Sequence, residues 1–139
     1  LFLHGNFGCG KTYLVSALFN ELAKLNLKSV IVYWPEYLRS LKASFQSSSN
    51  DEFKNKFNEV KYAKFLLIDD LGAEFSTAFS EATINELINN AILTGKPMII
   101  ISNLSVDELE KRYGQRVVSR LNSFEVIEFM GEDIRQLKK

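Results

Sequence analysis

The feature that most constrains how this chain can fold is a glycine-rich segment close to its start. Residues 5–12 fit the pattern G-x-x-x-x-G-K-[ST] without a gap, after an apolar run and before an amphipathic stretch. Glycines leave room for backbone N–H groups to turn inward around a phosphate, and a following helix adds its positive N-terminus. The pattern therefore predicts a phosphate-binding loop made of Gly5, Asn6, Phe7, Gly8, Cys9, Gly10, Lys11 and Thr12.

Two side chains at the end of this loop are suited to nucleotide chemistry. Lys11 is a point charge that can reach the outer phosphates, and the Thr12 hydroxyl can ligate Mg²⁺. We expect no catalytic role for Cys9, although it lies inside the loop.

Strand-like and helix-like stretches alternate along the 139 residues. Apolar runs typical of buried strands occupy positions 1–4, 29–34, 64–68, 97–102 and 124–129. This alternation predicts one α/β domain with a mostly parallel sheet covered by helices on both faces.

Helical spacing is clearest in residues 12–25 and 80–93, where apolar side chains recur every three or four positions. Ser105 and Glu108 predict a capping box at the start of a later helix, and the polar run 46–51 predicts a loop. The two apolar faces consist of Leu14, Leu18, Leu22 and Leu25, and of Ile84, Leu87, Ile88, Ala91 and Ile92.

Composition excludes several classes of protein. Hydrophobic residues make up 46% of the chain and include 11 Phe, which excludes a disordered tail, while no apolar run approaches membrane-spanning length. The single cysteine excludes an intramolecular disulfide framework, and 17 basic against 17 acidic residues exclude DNA binding by bulk charge. The first residues resemble the middle of a strand, so we expect that an N-terminal segment is missing.

Two of the predicted strands end in polar side chains. Asp69 and Asp70 follow four apolar residues, and Asn103 follows the strand at 97–102. We expect Asp69 to hold Mg²⁺, usually through water, and Asp70 to orient an attacking water. If the 97–102 strand lies between the first and third strands, the Asn103 amide lies beside Asp70 and can hold the same water. The alternative interpretation is that these residues only form turns.

Arginine suits the spread charge of a transferring phosphoryl group, and it can act from a neighbouring subunit. Arg116 and Arg120 are four positions apart and share a helix face, and Arg135 lies in the tail. The alternative for each is an exposed surface position or a surface ion pair.

These motifs, in this order, resemble those of the AAA+ ATPases. Together with the segments IDDLGAE at 68–74 and GQRVVSRL at 114–121, they look like the bacterial replicative-helicase loaders of the DnaI/DnaC type, of which the transposition helper IstB is a cousin. The resemblance covers nearly the whole chain. It implies a P-loop fold with a five-stranded sheet of order 5-1-4-3-2 and a cytoplasmic ATPase that uses ATP and Mg²⁺. Larger AAA+ proteins carry a helical lid, but little sequence follows Arg135 here, so we expect no full lid domain.

The resemblance also assigns roles to individual residues. It makes residues 5–12 the Walker A motif, Asp69 with Asp70 Walker B, Asn103 sensor 1, Arg120 the arginine finger with Arg116 as the weaker candidate, and Arg135 the sensor 2 arginine. AAA+ proteins usually carry Glu where this chain has Asp70. Because Asp is one methylene shorter, we expect slow hydrolysis. Because a neighbour's Arg120 would complete the site, we also expect hydrolysis to depend on assembly.

Partners follow from the same resemblance. It implies self-association through the edge that carries Arg120, and contact with the replicative helicase mainly through an N-terminal domain outside this chain. Single-stranded DNA would bind a helical insertion at 36–45, where Lys42 meets phosphate and Phe45 stacks on a base. The alternative for Phe45 is a core position, since it shares helical spacing with Leu38 and Leu41.

Three other functions stay open at this point. They are a transposition helper ATPase, a small-molecule kinase in which Arg120 faces its own nucleotide, and a scaffold that binds ATP without useful turnover.

Overall fold

A computed structural model of the chain describes residues 1–5, 11–26, 28–46, 50–75 and 77–129, without the side chains of residues 11, 12, 50 and 129. Strands and helices alternate through these residues, as predicted. In chain order they are β1 (Phe2–Gly5), α1 (Lys11–Lys24), β2 (Ser29–Tyr33), α2 (Trp34–Gln46), α3 (Asn50–Lys61), β3 (Phe65–Asp69), α4 (Ala78–Thr94), β4 (Met98–Ser102), α5 (Val106–Tyr113), α6 (Gln115–Leu121) and β5 (Val126–Phe129).

All five strands form one parallel sheet in the order β2-β3-β4-β1-β5. Read from the other edge, this is the order 5-1-4-3-2, so the expected topology is confirmed. The consequence that matters for function is that β4 lies between β1 and β3. The carboxyl ends of these three strands therefore meet at one edge of the sheet.

The two faces of the sheet are covered unequally in the described part of the chain. Helices α2 to α6 enclose the larger core, in which Trp34, Leu87 and Ile100 are completely buried. On the opposite face α1 contributes Val15 to a smaller cluster with strand residues such as Leu67. Successive strand residues alternate between the two clusters, as the pleat of a β-strand requires.

The leucine face of α1 differs from a buried stripe. Leu14 is 49% exposed and Leu25, just beyond the helix, is 70% exposed, whereas Val15 is only 4% exposed. The helix itself is confirmed, but it packs on the sheet through the neighbouring valine. Periodicity identifies a helix and its apolar face without showing which face a neighbour covers.

Four of the five residues on the predicted apolar face of α4 are buried, and the fifth, Ile92, is partly exposed. A capping box joins Thr77 and Ser80 at its start, and Gly95 ends it in the left-handed conformation with φ of 69°. The predicted capping box of α5 is also present, with Ser105 and Glu108 each accepting the other's backbone N–H at 3.2 Å.

The predicted loop at 46–51 is wrong at both ends. Helix α2 continues through Gln46 and α3 begins at Asn50, while residues 47–49 lie outside the described residues. An edge-to-face contact of Phe45 with Phe53, 5.5 Å between ring centres, joins the two helices across this corner. The boundary between β2 and α2 also differs from the prediction, because Trp34 begins α2 rather than ending β2.

Within the described residues, every helix is too short or too polar to span a membrane.

Two leucines of α4 offer a matched test of this packing. Leu87 is completely buried and Leu93 is 76% exposed. Leu87→Ala should lower the free energy of unfolding by about 2–5 kcal/mol, because it removes core contacts and leaves a cavity. Leu93→Ala should change it by less than about 0.5 kcal/mol. Urea unfolding followed by circular dichroism measures both, and equal losses would contradict the assigned core face.

Candidate functional site

The candidate site lies where β1, β3 and β4 end. His4 of β1 pairs with Ser102 of β4, and Ile68 of β3 pairs with Ile100 of β4. Adjacent strands are about 4.8 Å apart, so the backbones at the ends of β1 and β3 are separated by about 10 Å across β4. The strand that ends in two carboxylates and the strand that enters the glycine-rich segment thus meet at one edge.

The glycine-rich segment enters this edge from Gly5, the last residue of β1. Helix α1 begins at Lys11, and its first turn holds no acidic residue. A helix N-terminus without neighbouring carboxylates keeps its positive end available to an anion. This arrangement fits a nucleotide phosphate. Asn6, Phe7, Gly8, Cys9 and Gly10 lie outside the described residues, as do the side chains of Lys11 and Thr12.

The turn after β3 is fastened to β4 by a buried serine that the sequence analysis did not identify. The Ser102 hydroxyl donates to the Leu71 carbonyl at 2.6 Å and accepts from the Leu104 N–H at 3.0 Å. The Leu71 N–H donates in turn to the Ile101 carbonyl at 3.0 Å. Asp69 ends β3, and Asp70 begins the turn with φ of 63°, a left-handed conformation that Asp tolerates better than most residues.

Gly72 has a steric reason to be glycine. Its φ is 95°, and a Cβ there would lie 2.6 Å from Leu104 Cδ1. A side chain here would have to push Leu104 aside and would strain the backbone at this positive φ, so glycine is favoured where the turn packs on the loop after β4.

Tyr33 is the second residue that the sequence analysis missed. It ends β2, pairs in register with Asp69, and its hydroxyl donates to Asp70 Oδ2 at 3.0 Å. This hydrogen bond and the charge of the Asp70 carboxylate raise the pKa of the Tyr33 phenol above its usual value. The neutral phenol is the donor form, so the bond orients one carboxylate oxygen toward β2. An aromatic residue at a strand end carries no sequence signal for such a role.

Asn103 lies where the sequence places it, directly after β4 and exposed. Because β4 separates β1 from β3, Asn103 follows the strand that lies between the glycine-rich segment and Asp70. The strand order therefore places the Asn103 backbone next to the end of the strand that carries the carboxylates.

The arginines of α6 lie elsewhere. Arg120 Nε donates to Asn89 Oδ1 of α4 at 3.4 Å, and its Nη1 donates to the Arg116 carbonyl at 3.3 Å. Both arginines line a surface groove of about 400 Å³ with α4 residues that include Glu81 and Glu86. Arg120 thus points along the outer side of the helix layer. Arg135 lies outside the described residues.

The helix α2 carries the two candidate DNA contacts. Lys42 is exposed, and Phe45 is 60% exposed although it touches Phe53. Leu38 and Leu41 are buried, so helical spacing alone does not make Phe45 a core residue. A basic and an aromatic side chain are therefore accessible within one turn of this helix.

Comparison with known proteins agrees with this architecture. The family described as the bacterial DnaA ATPase domain matches residues 1–128. The chain is 40% identical over 119 residues to the replicative helicase loader DnaI of Bacillus subtilis (strain 168), an alignment that covers 84% of this chain and 37% of that protein. The chain spans less than half the length of the curated relatives it matches.

Solved structures show the same fold. A crystal structure of DnaI has a TM-score of 0.78 at 32% identity, covering 95% of this chain and 70% of that chain. AMPPCP-bound DnaA from Aquifex aeolicus has a TM-score of 0.84, covering 99% of this chain and 42% of that chain, and its 21% identity shows the fold alone. Together these findings confirm the P-loop AAA+ fold and the resemblance to the helicase loaders.

The hydrogen bond between Tyr33 and Asp70 makes a direct prediction. Asp70→Ala removes both the acceptor and the negative charge, so the Tyr33 pKa should fall toward the ordinary value of tyrosine. A pH titration of tyrosine ring carbons by NMR measures the shift. Asp51→Ala, which removes an acidic residue of α3, serves as the control and should leave Tyr33 unchanged. An identical Tyr33 titration in Asp70→Ala would contradict the contact.

Proposed function

The chain belongs to the family of the bacterial DnaA ATPase domain, and on that premise we propose that it is the ATPase domain of a replicative-helicase loader. In this proposal it binds ATP with Mg²⁺, hydrolyses it slowly on assembly, and couples the state of the nucleotide to single-stranded DNA and to delivery of the helicase. The domain would act in the cytoplasm, where the chromosome is replicated.

One observation carries the proposal. The ends of β1, β3 and β4, with Gly5, Asp69 and the residue before Asn103, lie at one sheet edge, in a chain that is 40% identical to a helicase loader. Each of these features alone fits other α/β proteins. Their combination in this strand order favours a P-loop ATPase of the loader type.

The residues present fit ATP and Mg²⁺. The N-terminus of α1, which has no acidic residue in its first turn, and Lys11 would bind the phosphates, and Thr12 and Asp69 would hold the metal. Bound ATP supplies the phosphoanhydride that is hydrolysed, and Mg²⁺ neutralises charge on its phosphates. Asp70 and Asn103 would orient the attacking water, and Asp70 would accept its proton. Because the Tyr33 hydroxyl donates to Asp70 Oδ2, we assign the other oxygen, Oδ1, to that water.

Arg120 would complete the site of a neighbouring subunit. It hydrogen-bonds Asn89 of α4 and the Arg116 carbonyl of its own helix beside a surface groove, an orientation that supports action between subunits. The small-molecule kinase hypothesis expects Arg120 to face its own nucleotide, so the same contacts disfavour it. Self-association through this edge is then a requirement for rapid hydrolysis. Arg135 remains a proposed sensor 2 residue.

The remaining partners are proposed from the relatives. DnaI is a replicative helicase loader, and this chain covers only 37% of it. We therefore assign the main helicase contact to a part of the protein outside these residues. Lys42 and Phe45 are the proposed contacts to single-stranded DNA, since both are accessible on α2.

Hydrolysis by the full-length protein tests the proposal. ATP turnover should rise when single-stranded DNA and the host helicase are added. Arg120→Ala should lower kcat by about 10²- to 10³-fold, because it removes a charge that stabilises the transition state, with nucleotide affinity little changed. Arg116→Ala, four positions away on the same helix, should change kcat by about twofold or less. Phosphate release and binding of a fluorescent ATP analogue provide the two measurements.

The outcomes separate the competing functions. If the ATP turnover rate does not rise with DNA and helicase, or is the same in Arg120→Ala, the protein is not an assembly-dependent loader ATPase. Phosphoryl transfer to a metabolite would instead establish a kinase.

DNA contact is tested separately on α2. Phe45→Ala should weaken single-stranded DNA binding by about 1–3 kcal/mol through loss of base stacking. Lys42→Ala should reduce the slope of log affinity against log salt by about one. Tyr62→Ala removes another exposed aromatic residue and is the matched control. Fluorescence anisotropy at several salt concentrations measures all three, and equal effects of Phe45→Ala and Tyr62→Ala would argue against a stacking site at Phe45.

A further inference from the structure

A carboxylate outside the proposed catalytic set links the carboxylate turn to the end of α5. Glu74 lies four residues beyond Asp70. Its Oε1 accepts the Gly72 N–H at 3.0 Å, and the Tyr113 hydroxyl donates to Oε2 at 2.5 Å and also contacts Oε1. Tyr113 is almost fully buried. Burial is the main cause that raises the pKa of its phenol well above the ordinary value, and the hydrogen bond to Glu74 is the second. The phenol therefore remains a proton donor at neutral pH.

Each end of this link leads to a different part of the proposed machinery. At the Glu74 end, Gly72 and Leu71 belong to the turn that begins at Asp70 and is fastened to β4 by Ser102. At the other end, Tyr113 is the last residue of α5. Only one residue separates it from α6, the helix that carries Arg120.

Helices α5 and α6 are joined by a single residue, Gly114. It has φ of 91° and ψ of 177°, a conformation that residues with side chains rarely adopt. Its N–H donates to the Glu110 carbonyl at 2.8 Å. Because the connection is so short, a shift of Tyr113 displaces the start of α6.

We propose that Glu74 and Tyr113 are positioning residues that tie the direction of α6, and with it Arg120, to the carboxylate turn of the same subunit. The inference rests on the proposed function in one respect, since it takes Arg120 to act in a neighbouring subunit's site. A change in the turn on one subunit thereby moves the arginine that this subunit offers to its neighbour. The contact couples successive sites in an assembly through the two hydrogen bonds that Glu74 accepts from Gly72 and Tyr113 within each subunit.

A mixed-subunit experiment with the full-length protein tests this coupling. Lys11→Ala subunits cannot use ATP but offer an arginine, and Arg120→Ala subunits use ATP but offer none. Hydrolysis in the mixture reports only sites built from one subunit of each kind. Tyr113→Phe is then added to either member in turn. On the Lys11→Ala subunit it should lower hydrolysis about tenfold, and on the Arg120→Ala subunit by about twofold or less.

Conservative variants distinguish positioning from folding. Glu74→Gln keeps an oxygen that accepts both hydrogen bonds, so on the Lys11→Ala subunit it should retain at least roughly half of the hydrolysis. Glu74→Ala removes the acceptor and should match Tyr113→Phe. Thermal melts of each subunit show whether a loss of fold accompanies the change. Should Tyr113→Phe unfold, the comparison of Glu74→Ala with Glu74→Gln on the same subunit is the test.

The possible failures are distinct. Equal losses on both subunits, or no loss on either, would overturn the positioning role while leaving the proposed function intact. A Glu74→Gln subunit as impaired as Glu74→Ala would overturn it as well. If the parent mixture shows no hydrolysis at all, the arginine finger fails, and this inference fails with it.

Discussion

The candidate site depends on the pairing of β4 with both of its neighbours and on the buried hydroxyl that ends it. Ser102 donates to the Leu71 carbonyl and accepts from the Leu104 N–H, so it joins the turn after β3 to the loop after β4. Each such bond adds only about 0.5–1.5 kcal/mol, but an unpaired buried polar group costs about 1–3 kcal/mol. This asymmetry makes other arrangements of the turn unfavourable. These hydrogen bonds hold the turn in which Asp70 adopts its left-handed conformation.

The sequence predicts the parts of the fold that repeat or carry a local pattern. Alternating apolar runs indicate the strands, the G-x-x-x-x-G-K-T segment marks the entrance to α1, and the capping box at Ser105 marks α5. The strand order came from the resemblance to a family, because pairing between strands far apart in the chain leaves no local signal. Once that order is known, convergence of Asp69, Asp70 and Asn103 at one edge follows from parallel pairing.

The residues that were missed share a physical property. Tyr33, Ser102 and Glu74 each make a hydrogen bond to a partner 31 to 39 residues away. Glu74 and Ser102 also accept bonds from the nearby backbone N–H groups of Gly72 and Leu104. The distant bonds depend on register and turn geometry, which a single side chain does not reveal. The error at 46–51 has a different origin, since helix ends extend into a polar run whose composition predicts a loop.

The balance of charge links two parts of the proposed function. With 17 basic and 17 acidic residues the chain attracts DNA weakly as a whole, and charges more than about 8–10 Å apart are largely screened at physiological salt. Binding of one nucleotide needs only a local field, which a helix N-terminus such as that of α1 supplies. In the proposed function, a long polyanion needs accessible groups such as Lys42 to recur along its length, and Arg120 needs a neighbour's site to act on. Aligned subunits would meet both requirements, so the outward orientation of Arg120 and the neutral charge of the chain favour one proposed mechanism, in which assembly precedes hydrolysis.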